Sequence, residues 1–236
     1  MSFLKAEWKK LVLANYAFDE VLLTKYLPYK TELDKWNGTT YVSLVGFMFK
    51  NTRLLGVKIP FHTDFEEVNL RFYVRYKEDN EWKRGVVFIK EIVPKVALTL
   101  VANTIYKEHY ETMKMNHRWD VQGKEQIVEY EWIKNGQAQK ISVTAETEPG
   151  KIQAKSEEEF ITEHYWGYTR INERKTYEYE VTHPKWESYK INAFAINVDF
   201  GSVYGPDFKV LTEEKPKSVM LMEGSEITVE NKRAIG

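Results

Sequence analysis

The sequence contains no cysteine. This absence excludes disulfide bonds, cysteine-ligated zinc, iron–sulfur clusters and thiol nucleophiles, and it is typical of a reducing compartment. The chain also lacks an apolar run of the ~20 residues that a membrane helix needs. Charged side chains occur throughout residues 1–10, so the start of the sequence does not resemble a signal peptide. We therefore expect a cytoplasmic protein that does not associate with membranes.

An excess of either charge sign is also missing, because 34 lysines and arginines are interspersed with 35 aspartates and glutamates. Without a basic face, nucleic acid is not expected as a partner. The chain has neither a phosphate-binding glycine loop nor a dinucleotide fingerprint, so no cofactor is expected. The histidines fit no metal-binding spacing, and no metal site is expected. They are His62, His109, His117, His164 and His183.

Apolar and aromatic residues are abundant, at 43% and 14% of the 236 residues. This is enough for a core that also encloses a cavity. No low-complexity or linker-like segment divides the chain, so we expect a single domain over residues 1–236. Many short segments alternate or are apolar throughout, and turn residues bound them, as in β-strands. They predict strands at roughly 3–16, 40–50, 53–59, 66–77, 82–92, 113–121, 125–134, 139–147, 169–182, 189–200 and 208–229.

The turn residues between these strands indicate the class of fold. Asp79-Asn80 and Asn135-Gly136 are typical of hairpins, and Pro149-Gly150 indicates another tight turn. Strands joined in this way form an antiparallel sheet that must close or pack on itself. Segment 41–49 is apolar on both faces and is predicted at the centre of the sheet. We therefore predict a mainly β protein built as a closed or nearly closed antiparallel β-barrel.

Three segments have the pattern of helices. In the first, Asp19 can cap residues 20–27. The second begins at Pro94 and has apolar residues at helical spacing on most sides, so it is predicted to lie buried across the barrel. The third begins with a capping box at residues 156–159 and is predicted to end near Gly167.

Segment 65–76 separates its side chains into two complete faces. One face is apolar, and the other carries Glu67, Asn69 and Arg71 in a row. A solvated strand face is one interpretation, because charged residues are mostly exposed. The other is a row inside a barrel, where an acid, an amide and a guanidinium orient a small polar ligand. The exposure of Arg71 distinguishes the two interpretations.

The next strand carries charged residues among apolar ones on both faces. Buried charges need partners, so at least one of Arg84, Lys90 and Glu91 is expected to pair with the row of Glu67. Lys95 follows at the start of the second helix, where the helix dipole and burial would lower its pKa. A neutral amine is what Schiff-base chemistry requires. The alternative is that Lys95 extends into water from the first helical turn.

Segments 163–168 and 181–186 are dense in aromatic and polar side chains. Most such clusters are packing with satisfied polar groups. Either segment could instead form the rim of a pocket.

Four stretches resemble the YqjF-like family of uncharacterised bacterial proteins, and they follow the expected order along most of the chain. They are WNG at 36–38 with VSLVGF at 42–47, FEEVNLRFYV at 65–74, RGVVF at 84–88 and EHYWGY at 163–168. That family is in turn similar in fold to acetoacetate decarboxylase. The resemblance implies a cone-like antiparallel β-barrel of the acetoacetate decarboxylase-like type, with an internal pocket.

The decarboxylase has a Schiff-base lysine in a Pro-Lys-Lys motif that a glutamate precedes. The resemblance matches Glu91, Pro94 and Lys95 to the glutamate, the proline and the first lysine, and Glu67 to a pocket carboxylate. Val96 replaces the second lysine, whose charge would depress the pKa of the nucleophile. This departure counts against decarboxylation.

Two functions from different classes follow. One is a binding protein whose barrel holds a small organic ligand with a carbonyl or carboxylate group, with Arg71 paired to Glu67. Its expected ligand-binding residues are Asn69, Arg71, Arg84 and Glu91.

The other function is an enzyme that acts on a small keto acid. Lys95 would be the nucleophile or an electrostatic group, Glu67 the acid or base, and Arg71 or Arg84 the clamp for a carboxylate. A structural role is a third alternative, since barrels can form homo-oligomers through exposed strands.

Overall fold

The computed structural model describes residues 2–105 and 107–236. Helices are α1 (Glu20–Thr24), α2 (Val96–Ile105), α3 (Glu157–Thr162) and α4 (Phe200–Tyr204), followed by a 3₁₀ helix over Pro206–Thr212. The strands are β1 (Leu4–Ala17), β2 (Thr31–Leu33), β3 (Tyr41–Leu54), β4 (Phe65–Glu78), β5 (Glu81–Val93), β6 (Tyr110–Thr112), β7 (Met115–Gln122), β8 (Glu125–Lys134), β9 (Gln137–Lys151), β10 (Trp166–Asn172), β11 (Lys175–Thr182), β12 (Glu187–Asn197), β13 (Ser218–Val229) and β14 (Arg233–Ile235). The prediction of a mainly β protein is confirmed.

These strands form one sheet in the order β14-β11-β10-β5-β4-β3-β1-β13-β12-β9-β8-β7, with β2 on β4 and β6 on β5. Most pairs are antiparallel, whereas β5 is parallel to both β10 and β6. β11 also pairs with β13, at Val181–Val229 and Thr182–Thr228. Pairing therefore returns on itself through β11, β10, β5, β4, β3, β1 and β13, which we call the strand circuit.

β4 lies between two apolar cores. Val68 and Phe72 belong to a core that also contains Trp132 of β8 and Val143 of β9, so β7–β9 cover the outer face of the circuit. Tyr73 belongs to the second core, whose strand residues come from β1, β3, β4, β5, β11 and β13. Since all of these strands belong to the circuit, the second core lies inside it.

The central position predicted for segment 41–49 is confirmed, because all of these residues are buried and β3 pairs with β1 and β4. Gly46 is required there, since a Cβ atom would lie 2.8 Å from the ring of Tyr130 in β8. Both predicted hairpins are also confirmed. Asp79-Asn80 joins β4 to β5, Asn135-Gly136 joins β8 to β9, and all four residues have positive φ.

Several predicted boundaries are wrong. Residues 53–59 do not form a strand of their own, because β3 ends at Leu54. Residues 169–182 divide into β10 and β11 at a turn where Arg174 N donates to Asn172 Oδ1, a turn that no glycine or proline marks. Pro149-Gly150 continues β9 instead of turning. The final predicted strand begins only at β13, after α4 and the 3₁₀ helix.

The helices also differ from expectation. α3 ends at Thr162, and Gly167 lies within β10. α2 is not buried, since Val96 is 71% and Leu100 67% exposed. Its other side contacts the interior through Leu98. Among the described residues, no helix is long and apolar enough to span a membrane.

Candidate functional site

A cavity of about 200 Å³ lies inside the strand circuit. The row from β4 faces it, and the structure decides its orientation: Glu67 is 3%, Asn69 1% and Arg71 8% exposed. A solvated strand face is therefore excluded. Polar side chains from other elements complete this part of the wall, namely Glu91, Glu108, Tyr110, His164 and Tyr179.

Glu67 is held by its neighbours on the inner face. Asn69 Nδ2 donates to Glu67 Oε1 over 3.0 Å, and the Tyr110 hydroxyl donates to Oε2 over 3.3 Å. Burial raises the pKa of Glu67 to about 7, although these hydrogen bonds and the charge of Arg71 lower it in part. Glu67 can therefore be protonated or ionised near neutral pH.

Two further carboxyl groups share the cavity. Glu91 is paired in register with Asn69, and its Oε2 has no hydrogen-bond partner among the described residues. Burial, and then the charges of Glu108 and Glu67, raise the pKa of Glu91 well above its ordinary value. Burial raises the pKa of Glu108 to about 7 as well. We call Glu67, Glu91 and Glu108 the carboxyl cluster.

Glu108 is positioned by two hydroxyl groups. Its Oε1 accepts hydrogen bonds from Thr169 (2.6 Å) and from Tyr179 (3.2 Å). Tyr179 can lie there because it faces Gly167, where a Cβ atom would be 2.2 Å from its ring. This contact explains why the segment EHYWGY has a glycine at position 167.

Arg71 is the one lysine or arginine among the described residues that line the cavity. No ion pair joins it to any described residue, including Glu67, so the expected internal pairing of these two residues does not form. Its Nε has no hydrogen-bond partner within the described chain, and its guanidinium lies 5.8 Å from the centre of the Tyr73 ring. A buried charge without a partner is costly.

Arg84 does not line the cavity, in contrast to its expected role there. Its Nε donates to Asp34 Oδ2 over 2.6 Å, and His164 Nε2 lies 3.1 Å from the same oxygen. Although burial opposes the change, hydrogen bonds with His164 and Arg84 lower the pKa of Asp34. Arg84, whose side chain is 32% exposed, thus belongs with Asp34 and His164 to a polar group beside the cavity. The remaining expected partner, Lys90, pairs with Glu111 over 2.7 Å.

Within this group, His164 has one nitrogen without a partner. Burial lowers the pKa of His164 to about 4, despite its hydrogen bond with Asp34, so the imidazole is neutral at pH 7. Its Nδ1 is buried and has no hydrogen-bond partner among the described residues. His164 lines the cavity, as do His183 and Trp186, so both aromatic segments noted in the sequence contribute to the wall.

Lys95 is not among the described residues that line the cavity. It precedes α2, and its charge acts on Glu66, whose pKa is lowered mainly by a hydrogen bond with His117. Because Glu66 and Glu67 are consecutive in β4, their side chains point to opposite faces of the sheet. The structure therefore does not bring Lys95 together with Glu67, and no other described lining residue is a lysine.

Three residues of the site were not identified from the sequence: Glu108, Tyr110 and Tyr179. Tyr110 and Glu108 lie in or near the three-residue strand β6, which is too short to show alternation. The sequence predicts a strand that contains Tyr179, but nothing in it shows that β11 pairs with β13. Among the described residues, no group of three side chains could hold a metal ion.

The sequence matches the DUF2071 family, described as an uncharacterized conserved protein, over residues 5–226. It is 31% identical over 108 residues to the uncharacterized protein YqjF of Bacillus subtilis. That alignment covers 45% of this chain and 43% of YqjF, which is less than half the length of the curated relative.

Solved structures of similar fold include the following three. Acetoacetate decarboxylase from Legionella pneumophila gives a TM-score of 0.67 at 12% identity, over 98% of this chain and 87% of that one. The enduracididine biosynthesis enzyme MppR, complexed with pyruvate, gives 0.68 at 11% identity, over 100% and 91%. An acetoacetate decarboxylase-like enzyme from Sphingomonas wittichii gives 0.66 at 8% identity, over 100% and 94%. At these identities the likeness shows the fold alone.

Proposed function

This chain belongs to the DUF2071 family, and we propose that it binds a small organic acid in its cavity, with the ligand carboxylate on Arg71. The observation that carries the proposal is the guanidinium of Arg71, which is 8% exposed, faces the cavity and forms no ion pair with a described residue. A ligand carboxylate supplies the missing opposite charge and two acceptor oxygens, for which a guanidinium is well suited. We also propose that the strand circuit forms the closed barrel that the sequence predicts. The pairing of β11 with β13 supports this proposal.

The carboxyl cluster favours a ligand with a carbonyl or hydroxyl oxygen close to its carboxylate. A carboxyl group that is protonated at neutral pH donates a hydrogen bond, which an ionised one cannot do. Burial and the charges of Glu108 and Glu67 raise the pKa of Glu91 well above its ordinary value, which favours the protonated carboxyl, and Oε2 of that group lacks a partner in the described chain. Glu91 can therefore donate to a ligand oxygen, while Asn69 orients Glu67 beside it.

The size of the cavity and the fold relatives support the same ligand class. Its volume of about 200 Å³ is smaller than the ~300–1,000 Å³ of pockets for drug-sized ligands. MppR, a structure of similar fold, is complexed with pyruvate. Pyruvate, which combines a carboxylate with an adjacent carbonyl, is therefore the first ligand to test.

Isothermal titration calorimetry with pyruvate and other small oxoacids tests the proposal. Arg71→Gln should weaken binding at least about thirtyfold, because losing the partner of a buried charge costs about 2 kcal/mol or more. Arg75→Gln is the matched control: it lies on the same face of β4 outside the cavity and pairs with Glu32. If neither variant changes affinity, or if no oxoacid binds, the proposal is wrong.

An enzyme that acts on a keto acid is the second candidate. The observation in its favour is Glu67, since a carboxyl with a pKa of about 7 in an enclosed site suits proton transfer. The expected nucleophile Lys95 does not support it, because Lys95 is not among the described residues that line the cavity. If the protein is an enzyme, the geometry therefore favours acid–base catalysis by Glu67 over Schiff-base chemistry. Loss of turnover in Glu67→Gln, with pyruvate binding retained, would establish it.

A further inference from the structure

The polar and apolar parts of the cavity wall are separated along β4. The inward positions of this strand run from Phe65 through Glu67 and Asn69 to Arg71. Phe65 and Arg71 are six residues apart, which is about 20 Å in an extended strand. Phe49 of β3 is the register partner of Phe65, and the two rings stack at 4.7 Å. One end of the cavity is therefore aromatic, and the other holds the unpaired cation.

The end next to Arg71 is closed. Tyr73 follows Arg71 on the inner face, and its ring lies 5.8 Å from Phe160 of α3 and 4.7 Å from His164. Phe160 also lies 5.6 Å from Trp36. These aromatic rings close this end of the strand circuit, so Arg71 lies at the closed end of the cavity.

The end next to Phe65 is the mouth. The chain enters β4 from the segment that contains Ile59, and β5 leaves towards α2 at the same end, since Ile92 pairs with Val68. Ile59 and Leu98 of α2 both line the cavity. Phe61 and Leu100 beside them are 89% and 67% exposed, so the mouth is mainly apolar, with Thr52 and His62 as the polar residues of its lining in the described chain.

We infer that the ligand is a monocarboxylic acid with an apolar tail, held with its carboxylate on Arg71 and its tail towards Phe65, Phe49 and Leu98 at the mouth. The inference rests on the proposed function, because the head of the ligand is the carboxylate assigned there. It adds the class and the direction of the ligand. Asn69 and Glu67 lie between the two ends, beside the part of the ligand next to its carboxylate. Beyond them, a polar tail would leave its hydrogen-bonding groups without partners among the apolar side chains, whereas an apolar tail gains from being removed from water.

Calorimetric titration with straight-chain carboxylates from acetate to decanoate tests the inference, with alkylamines of equal length as a comparison. Affinity should rise about fourfold with each methylene group until the cavity is full. Leu98→Asn, and independently Val101→Asn, should remove most of this rise while leaving the affinity for acetate unchanged. Leu100→Asn is the control, because Leu100 is on the same helix but does not line the cavity. Circular dichroism confirms that each variant is folded.

The outcomes separate the two proposals. If the affinity for carboxylates does not depend on chain length but is lost in Arg71→Gln, the assignment of an apolar tail is wrong and the proposed carboxylate site is retained. An equal effect of Leu98→Asn and Leu100→Asn also overturns the tail assignment. If Arg71→Gln binds every carboxylate as tightly as the wild type, or if alkylamines bind more tightly than carboxylates, the carboxylate site itself is wrong.

Discussion

Glu67 and Arg71 share the inner face of β4, yet no ion pair joins the two side chains, both of which the structure describes. Glu67 is instead held by Asn69 and Tyr110, and Arg71 keeps its Nε without a partner in the described chain. The two side chains therefore line the same cavity wall without forming a structural salt bridge.

The first prediction concerns stability. Breaking a buried ion pair costs about 3–5 kcal/mol, but Arg71 forms no such pair with the residues that the structure describes. Arg71→Gln should therefore have a free energy of unfolding within about 1 kcal/mol of the wild type, or higher, because an unpaired buried charge is removed. Urea denaturation measures this difference. Destabilisation by several kcal/mol would mean that Arg71 is paired in the folded protein and that the description of the site is incorrect.

A second prediction concerns pH. The pKa of Glu91 is raised in the folded state, so the folded protein keeps a proton that the unfolded chain loses. The contribution of this group to stability is present below its ordinary pKa of 4.5 and is lost as pH rises through the folded value. Glu91→Gln stays neutral, so its melting temperature relative to the wild type should increase from pH 5 to pH 8.

Glu66→Gln is the matched control for this pH series. A hydrogen bond with His117 lowers the pKa of Glu66, so this carboxylate stabilises the folded protein above its ordinary pKa and loses that effect in acid. Glu66→Gln should therefore be less stable than the wild type at pH 8, with the difference shrinking in acid. The same sign of effect in both variants would contradict the assignment of Glu91.

A third prediction tests the contact between Gly167 and Tyr179. Gly167→Ala places a Cβ atom 2.2 Å from the Tyr179 ring, which must move and give up its 3.2 Å hydrogen bond to Glu108. Overpacking of this kind costs about 1–3 kcal/mol. Thermal unfolding should show the loss, whereas Gly150→Ala should show none, because nothing lies within 4 Å of that position. Equal melting temperatures for the two variants would rule out the close contact.

The fourth prediction concerns Lys95. Incubation with acetoacetate and borohydride, followed by peptide mass spectrometry, should give no stoichiometric adduct on Lys95, and no carbon dioxide should be released. The reason is its position, since Lys95 lies outside the cavity and acts electrostatically on Glu66. Rapid, complete labelling of Lys95 at neutral pH would establish the enzyme and overturn a purely binding role.

Much of the fold could be predicted because its signals are local. Alternation with a period of two identifies strands and sorts Glu67, Asn69 and Arg71 onto one face without any knowledge of neighbours. Asn135-Gly136 specifies a hairpin because the turn needs positive φ, which these residues tolerate. The apolar segment 41–49 had to be central because both of its faces need cover. These features follow from the sequence by itself.

Tertiary structure alone decided which face of β4 lines the cavity and which packs in the outer core. Both faces are removed from water, and they differ only in what packs on them. It also decided that α2 lies at the mouth with Leu100 exposed, although its apolar composition predicted burial. Glu108 and Tyr179 share the cavity wall with Glu67 because strand pairing brings distant segments together. Lys95 acts on Glu66, whose side chain lies on the opposite face of β4 from Glu67. Such relationships depend on register and long-range pairing, for which a single sequence carries no local signal.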